Sequence, residues 1–182
     1  MSGDLAMVSR YINLRYILLL LLFVAFISCR KGNEKKSAIS QPGSNEMADL
    51  NRYLVRKDRE RIQNFIERKN LRMTETQTGL WYQILMAGEG ETFQEKDKIL
   101  MEYECSLLDG TRCYSSKELG AKELILGESV IEAGLNEGLR LLKPGSEAIF
   151  IIPPFLAYGL PGDRKLIPPR AVLVYSVNIS SK

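Results

Sequence analysis

From Thr78 to the C-terminus, the sequence consists of short apolar runs separated by glycine, aspartate and proline. Runs of this kind, rich in branched and aromatic side chains, are typical of β-strands bounded by turns. They read "GLWYQILM", "KILMEYECSLL", "TRCYSS", "KELILG", "EAIFIIP" and "AVLVYSVNI". One segment between them has helical spacing instead: "SVIEAGLNEGLRLLKPG" places Ile131, Leu135, Leu139 and Leu142 on one face. We therefore predict an α+β domain whose five to six strands wrap around one short helix.

The N-terminal residues have the character of an export signal. Two arginines precede an unbroken apolar run over residues 16–27, which is too short for a spanning helix of about 20 residues. The segment "FISC" resembles a bacterial lipobox, which implies cleavage before Cys29 and lipidation of Cys29. Phe26 departs from the aliphatic residue usual in that pattern, so an uncleaved anchor or a plain secretory signal stays open. The lipobox predicts a membrane-anchored lipoprotein on the periplasmic or cell-envelope side.

The chain after the predicted signal peptide of residues 1–28 divides by composition into three parts. Residues 29–45 are a flexible tether, 46–72 a basic helix and 73–182 the globular domain. Residues 29–72 carry 12 Lys/Arg against 6 Asp/Glu, whereas residues 73–182 carry 11 against 15. A basic arm of this kind can lie on anionic headgroups, fold onto its own acidic domain, or present a solvated face.

The basic helix has two apolar clusters with a charged gap between them. Met47, Leu50 and Leu54 lie at helical spacing, and Ile62 and Phe65 continue the stripe further on. Between them stands "RKDRER", with an aspartate where the stripe should continue. Two interpretations remain open, a partly docked helix and a partner-binding one, and docking is the more conservative.

Two cysteines of the domain flank a hairpin signal. Cys105 and Cys113 enclose "SLLDGTR", in which Asp-Gly favours a tight turn. With a two-residue turn, Cys105 faces Tyr114 and Cys113 faces Ser106, which places the sulfurs on opposite sides of the sheet. Because only a longer loop or a bulge would bring them together, we predict free, buried thiols.

Several catalytic classes are excluded by what the chain lacks. It contains no histidine, which rules out Ser-His and Cys-His nucleophiles and HExxH zinc chemistry. No phosphate-binding loop with its lysine is present, and no carboxylate stands in an apolar stretch beside a partner. Peptidyl-prolyl isomerisation needs none of these groups, because an apolar cleft can favour the twisted, less polar amide of its transition state.

The motifs resemble those of the FKBP-type isomerase family across residues 78–180. They stand in family order as "GLWYQILMAGEGETF", "YECSLLDGTRCYSS", "LILGESVIEAGLNEGLRLLKPG", "AIFIIPPFLAYG" and "LIPPRAVLVYSVNI". The resemblance implies a twisted antiparallel sheet around the helix, with no metal, cofactor or nucleic-acid partner. A helix and a lipobox before the domain are similar to the gliding-motility-associated FKBP-type lipoproteins of Bacteroidetes.

The resemblance also implies site residues. Tyr158, in "AYG", matches the tyrosine that donates to a bound carbonyl, and Tyr103 matches a wall tyrosine; both are predicted as catalytic. Ile131 matches the residue before the helix whose backbone amide receives a carbonyl, and Ile167 matches the loop residue over the cleft. Tyr175 stands at the base, where the family usually has phenylalanine, and its hydroxyl needs a partner.

The facing side of the implied cleft departs from the family. Cys113 and Tyr114 replace an aromatic wall residue and the pocket aspartate, Leu135 replaces a tryptophan floor, and Lys122 occupies roughly the place of another wall aromatic. Tyr103, Ile131, Leu135 and Tyr175 would also suit an ordinary core, whereas a tyrosine in a loop bounded by glycine and proline, such as Tyr158, is less readily explained by packing. Two functions remain open: a membrane-tethered isomerase acting on proline-containing exported polypeptides, and an FKBP-fold chaperone or binding module for a gliding or secretion complex.

Overall fold

The N-terminal helix is the first element of the computed structural model, which describes residues 43–180. The predicted signal peptide with Cys29, and most of the predicted tether, lie outside the described residues. Helix α1 spans Ser44–Lys69, beginning two residues inside the predicted tether. It ends because Asn70 adopts a left-handed φ of 53°, which lets the Leu71 amide donate to the Ile66 carbonyl at 3.0 Å. Within residues 43–180, no helix combines the length and apolar character needed to cross a bilayer.

The predicted α+β fold is confirmed. The sheet is antiparallel throughout, in the order β1-β2-β6-β7-β3-β4, with β5 also paired to β3. Its seventh strand, beyond the five to six predicted, is the two-residue β1. The strands are β1 Thr74–Glu75, β2 Trp81–Met86, β3 Lys98–Leu107, β4 Arg112–Ser115, β5 Lys122–Ile125, β6 Glu147–Ile152 and β7 Leu173–Ile179. The short helices are α2 Ser116–Leu119, α3 Ala133–Leu139 and a 3₁₀ turn at Pro154–Leu156.

Helix α3 packs directly on strand β6. Leu135 and Leu139 are fully buried in the main core, as their helical spacing predicted. Gly138 allows the close approach, since a Cβ there would lie 2.8 Å from the Phe150 ring. Gly134 does the same at the start of α3, where a Cβ would lie 2.4 Å from the Ile152 side chain, so both ends of the helix are fixed against the sheet.

Helix α1 packs against a different set of sheet residues through its second half. Ile62 and Phe65 form a cluster with Ile151 and Val172, separate from the main core that contains Phe150. Because successive side chains of a strand point to opposite faces, Ile151 and Phe150 mark the two faces of β6. The docked interpretation therefore holds for this half of α1, while Met47 and Leu50 of the first half remain exposed.

The β3–β4 hairpin contains a bulge that the sequence did not reveal. Cys105 pairs with Tyr114 as predicted, but Ser106 pairs with Arg112, so the prediction that Cys113 faces Ser106 is wrong. The reason is a longer turn, in which the Leu107 amide donates to the Thr111 carbonyl at 2.9 Å and leaves one extra residue in β4. Both cysteines consequently join the same core cluster, and both are buried and free.

Candidate active site

Two tyrosines from β3 and β7 form one wall of the candidate cleft. The rings of Tyr103 and Tyr175 lie 6.2 Å apart between centroids, with their planes tilted by 36°. Lys122 places its Nζ 6.0 Å from the Tyr103 ring centroid, where the resemblance implied another aromatic residue. The wall therefore combines stacked aromatic surface with one cation at its edge.

A buried carboxylate lies behind this wall. Glu132 precedes α3, is only 7% exposed, and accepts a hydrogen bond of 2.7 Å from the Tyr175 hydroxyl. This contact supplies the partner that the Tyr175 hydroxyl needs. It also corrects the expectation that no carboxylate stands in an apolar setting. Burial first, and then the Glu132 charge, raise the pKa of Tyr175 far above its ordinary value, so the hydroxyl stays a donor.

Sequence reasoning missed Glu132 because a charged residue at the start of a helix normally points to solvent. The signal that could have found it was the unpaired hydroxyl expected at Tyr175, which requires an acceptor on a neighbouring element. The acceptor lies 43 residues away along the chain, so no local pattern points to it.

Tyr158 is the most exposed of the predicted site residues. Pro153 and Pro154 end β6 and begin a 3₁₀ turn, and Gly159, at a φ of +62°, donates its amide to the Pro154 carbonyl at 2.8 Å. This turn leaves Tyr158 36% exposed. Burial of the remainder, and next the Glu132 carboxylate, raise the pKa of the Tyr158 phenol well above its ordinary value. Tyr158 therefore keeps its proton and can donate it to an acceptor.

The loop after Tyr158 is held from inside by one aspartate. Asp163 accepts hydrogen bonds from the amides of Lys165 and Ile167, each at 2.8 Å, and from the hydroxyl of Tyr114 on β4. That carboxylate bond, and then burial, raise the pKa of Tyr114 to about 12. Tyr114, which stands where the family has an aspartate, thus fastens the loop containing Ile167 to the edge of the sheet.

The floor of the cleft is apolar and closed. Leu135 is 0% exposed, and Cys113, Ile167 and Tyr175 are buried in the same cluster, with Ile131 packed against it. The Cys113 sulfur lies 3.7 Å from the Leu166 carbonyl oxygen, which ties the bulged strand to the loop. With almost none of their surface exposed, these side chains form the core beneath the site.

The structure places the eight residues predicted for the cleft in the main core of the domain or beside it. Seven belong to the main core cluster or pack on it, and Tyr158 joins them through its proximity to Glu132. The seven are Tyr103, Cys113, Tyr114, Ile131, Leu135, Ile167 and Tyr175. Their roles in binding or catalysis stay predictions, but the arrangement offers tyrosine donors at the rim of an apolar surface.

Comparison with known proteins places this arrangement in a family. Residues 89–180 match the sequence model of FKBP-type peptidyl-prolyl cis-trans isomerases, which is half of the chain. The chain belongs to this family. The FKBP-type region thus includes β3 to β7 and every residue predicted for the cleft, whereas α1 and the predicted lipidation site Cys29 lie outside it.

Similar curated proteins are also named as FKBP-type isomerases. The chain is 42% identical over 104 residues to a probable FKBP-type isomerase FkpA of Neisseria meningitidis, covering 57% of this chain and 38% of that protein. It is 34% identical over 123 residues to FkpA of Escherichia coli, covering 68% and 44%. The chain spans about two fifths of the length of the curated relatives it matches.

Solved structures agree on the fold. The crystal structure of FkpA from Escherichia coli superposes with a TM-score of 0.60 at 23% identity, covering 97% of this chain and 91% of that one. The N-terminal domain of FKBP42 from Arabidopsis thaliana gives a TM-score of 0.56 at 25% identity, covering 60% and 91%. The FKBP-type sheet and helix are thus shared across sequences that have diverged widely.

Proposed function

We propose that the chain catalyses cis–trans isomerisation of Xaa-Pro bonds in exported polypeptides, at the cleft between Tyr158, Tyr103 and the α3 floor. The observation that carries the proposal is Tyr158, a proton-holding phenol exposed at the rim of an apolar surface in an FKBP-type domain. Such a donor can bind a substrate carbonyl while the partly exposed apolar surface that includes Tyr103 and Ile131 receives the proline ring.

The proposed mechanism requires no covalent step. The barrier of about 18–20 kcal/mol comes from amide resonance, which is lost as the bond twists. A twisted amide is less polar than a planar one, so a dry surface stabilises it relative to water. Tyr158 and the backbone amide beside Ile131 would hold the flanking carbonyls, which restricts the substrate to geometries near the transition state.

The test is an isomerase assay of the purified full chain on short Xaa-Pro peptides. Uncatalysed exchange takes tens to hundreds of seconds, and we expect the protein to shorten it in proportion to its concentration. A folded protein that leaves the rate at the uncatalysed value would refute the proposed activity.

Membrane attachment is part of the proposed function. The lipobox-like "FISC" supports diacylation of Cys29, with the basic residues of 29–72 next to the headgroups. We expect Cys29→Ala to move the protein from the membrane fraction to the soluble fraction. Retention of the Cys29→Ala protein in membranes would show that another segment anchors it.

A second candidate function is a chaperone or binding module, for example in a gliding or secretion complex. The observation that favours it is a groove of about 200 Å³ beside the cleft, in which Met47 and Leu50 of α1 face Phe155 and Leu160. Half-exposed apolar side chains of this kind suit unfolded polypeptide. For this function, suppression of aggregation of a denatured client should survive Tyr158→Phe and be lost in Leu50→Glu; the reverse pattern would exclude it.

A further inference from the structure

The charged gap in the middle of α1 contains a buried carboxylate with a distant partner. Asp58 is only 4% exposed, although it stands between helix residues that are largely in water. Its Oδ2 lies 2.5 Å from a guanidinium nitrogen of Arg170, and its Oδ1 lies 3.7 Å from Arg61. The ion pair with Arg170 joins residues 112 positions apart, so it connects α1 to the loop that precedes β7.

Arg170 links two loop segments that border the cleft. Its φ of 55° is left-handed, a conformation that a non-glycine residue adopts only when its surroundings hold it there. Its amide donates to the Gly159 carbonyl at 3.0 Å, directly after Tyr158, and it follows Ile167 by three residues. One residue therefore ties together the two segments that present the rim and the loop wall of the cleft.

The chemistry of the ion pair indicates that it orients the Arg170 side chain rather than docking α1. Burying a carboxylate carries a desolvation cost that an ion pair only partly offsets, so two apolar residues at positions 58 and 170 would dock the helix as well. Ile62 and Phe65 already supply that apolar contact. What an apolar residue cannot do is direct the Arg170 side chain, because only an acceptor fixes a guanidinium at one place.

We propose that Asp58 is a positioning residue for the cleft: by holding Arg170 it fixes the 159–170 loop, so that α1 sets where Tyr158 and Ile167 stand. The proposal rests on the isomerase function proposed above. It gives α1 a role in the site, although α1 lies outside the region that matches the family.

The experiment compares two ion pairs that α1 makes with the rest of the domain. Asp58→Asn weakens the pair to Arg170, and Glu75→Gln weakens the matched pair between Arg59 and β1, which touches no cleft loop. For Asp58→Asn we expect kcat/KM on Xaa-Pro peptides to fall roughly ten-fold, since small misplacements of reacting groups are costly. Glu75→Gln should stay within about two-fold of the unaltered protein.

A second readout does not depend on activity. Hydrogen exchange of the Arg170 amide should accelerate in Asp58→Asn, while the Ile179 amide, bonded to the Ser146 carbonyl on another part of the sheet, should not change. If the unaltered protein proves inactive, the proposed function fails, and this exchange comparison alone decides on the positioning role.

A third variant separates positioning from stability. The double variant Asp58→Leu/Arg170→Met replaces both partners and leaves no uncompensated charge, so its urea midpoint of unfolding should stay close to that of the unaltered protein, yet its kcat/KM should stay as low as that of Asp58→Asn. Full activity in the double variant, equal losses in Asp58→Asn and Glu75→Gln, or unchanged exchange at Arg170 in Asp58→Asn would each overturn the proposal.

Discussion

The two sides of the cleft are built by different forces. The floor, with Leu135 and Cys113, consists of fully enclosed side chains whose places are set by packing against the sheet. The loop side, with Tyr158 and Ile167, has no regular structure and is held by hydrogen bonds to Asp163 and by the ion pair of Arg170. Changes to the floor should therefore alter stability, whereas changes to the loop side should alter activity.

The largest expected effect is on the floor. Leu135→Ala should lower the free energy of unfolding by about 2–5 kcal/mol, because it removes a buried side chain and leaves a cavity beside Tyr175. Urea denaturation measures this, with Leu119→Ala as the matched control, since Leu119 is 65% exposed. We expect the control to stay within about 0.5 kcal/mol. A loss for Leu135→Ala below about 1 kcal/mol would show that the floor collapses and is not rigidly packed.

The loop side should respond in the opposite way. Tyr158→Phe should reduce kcat/KM roughly ten-fold by deleting one hydrogen bond to substrate, while unfolding changes by less than about 1 kcal/mol. Tyr53→Phe on α1 is the control, because Tyr53 is also an exposed tyrosine and its ring lies beside Arg56 and Lys57 of the same helix. An unchanged rate in Tyr158→Phe would place the site elsewhere.

The parts of the molecule that could be predicted from the sequence depend on local patterns. Strand β7 alternates buried and exposed residues along "LVYSVNI", and the aliphatic face of α3 is buried as its spacing predicted. Glu132 could not be predicted, because its burial follows from a hydrogen bond to Tyr175 that exists only once β7 is beside α3. Asp58 likewise interrupts the apolar stripe of α1, and its burial follows from an ion pair with Arg170 that no local pattern predicts. The bulge at Cys113 depends on turn geometry, which "DGT" leaves open.

The buried side of the cleft should also show a pH dependence. Burial raises the pKa of the Cys105 thiol from 9.0 to about 12, so the unfolded chain loses this proton at a lower pH than the folded protein does. Stability from this group is therefore complete below pH 9 and declines as the pH rises towards 12, by about 1 kcal/mol between pH 8 and 10. Urea titrations at these pH values should give a shallower decline for Cys105→Ala; equal slopes would mean that the thiol does not contribute.

The smallest expected effect concerns Glu132, which lies between the buried floor and the rim of the cleft. Glu132 accepts from the buried Tyr175 and lies close to Tyr158 at the rim, so its carboxylate competes with a substrate carbonyl for the Tyr158 proton. Glu132→Gln keeps the size of the side chain and an acceptor for Tyr175 but removes the charge, and a neutral acceptor binds a phenol less strongly than a carboxylate does.

We therefore expect kcat/KM of Glu132→Gln to rise by about two- to five-fold. Most of the change should be a lower KM, because substrate binding no longer displaces a charge-assisted hydrogen bond. A fall in kcat/KM would mean that the carboxylate holds Tyr158 in its working position. In that case the rim, like the floor, would depend on a buried group rather than on the loop alone.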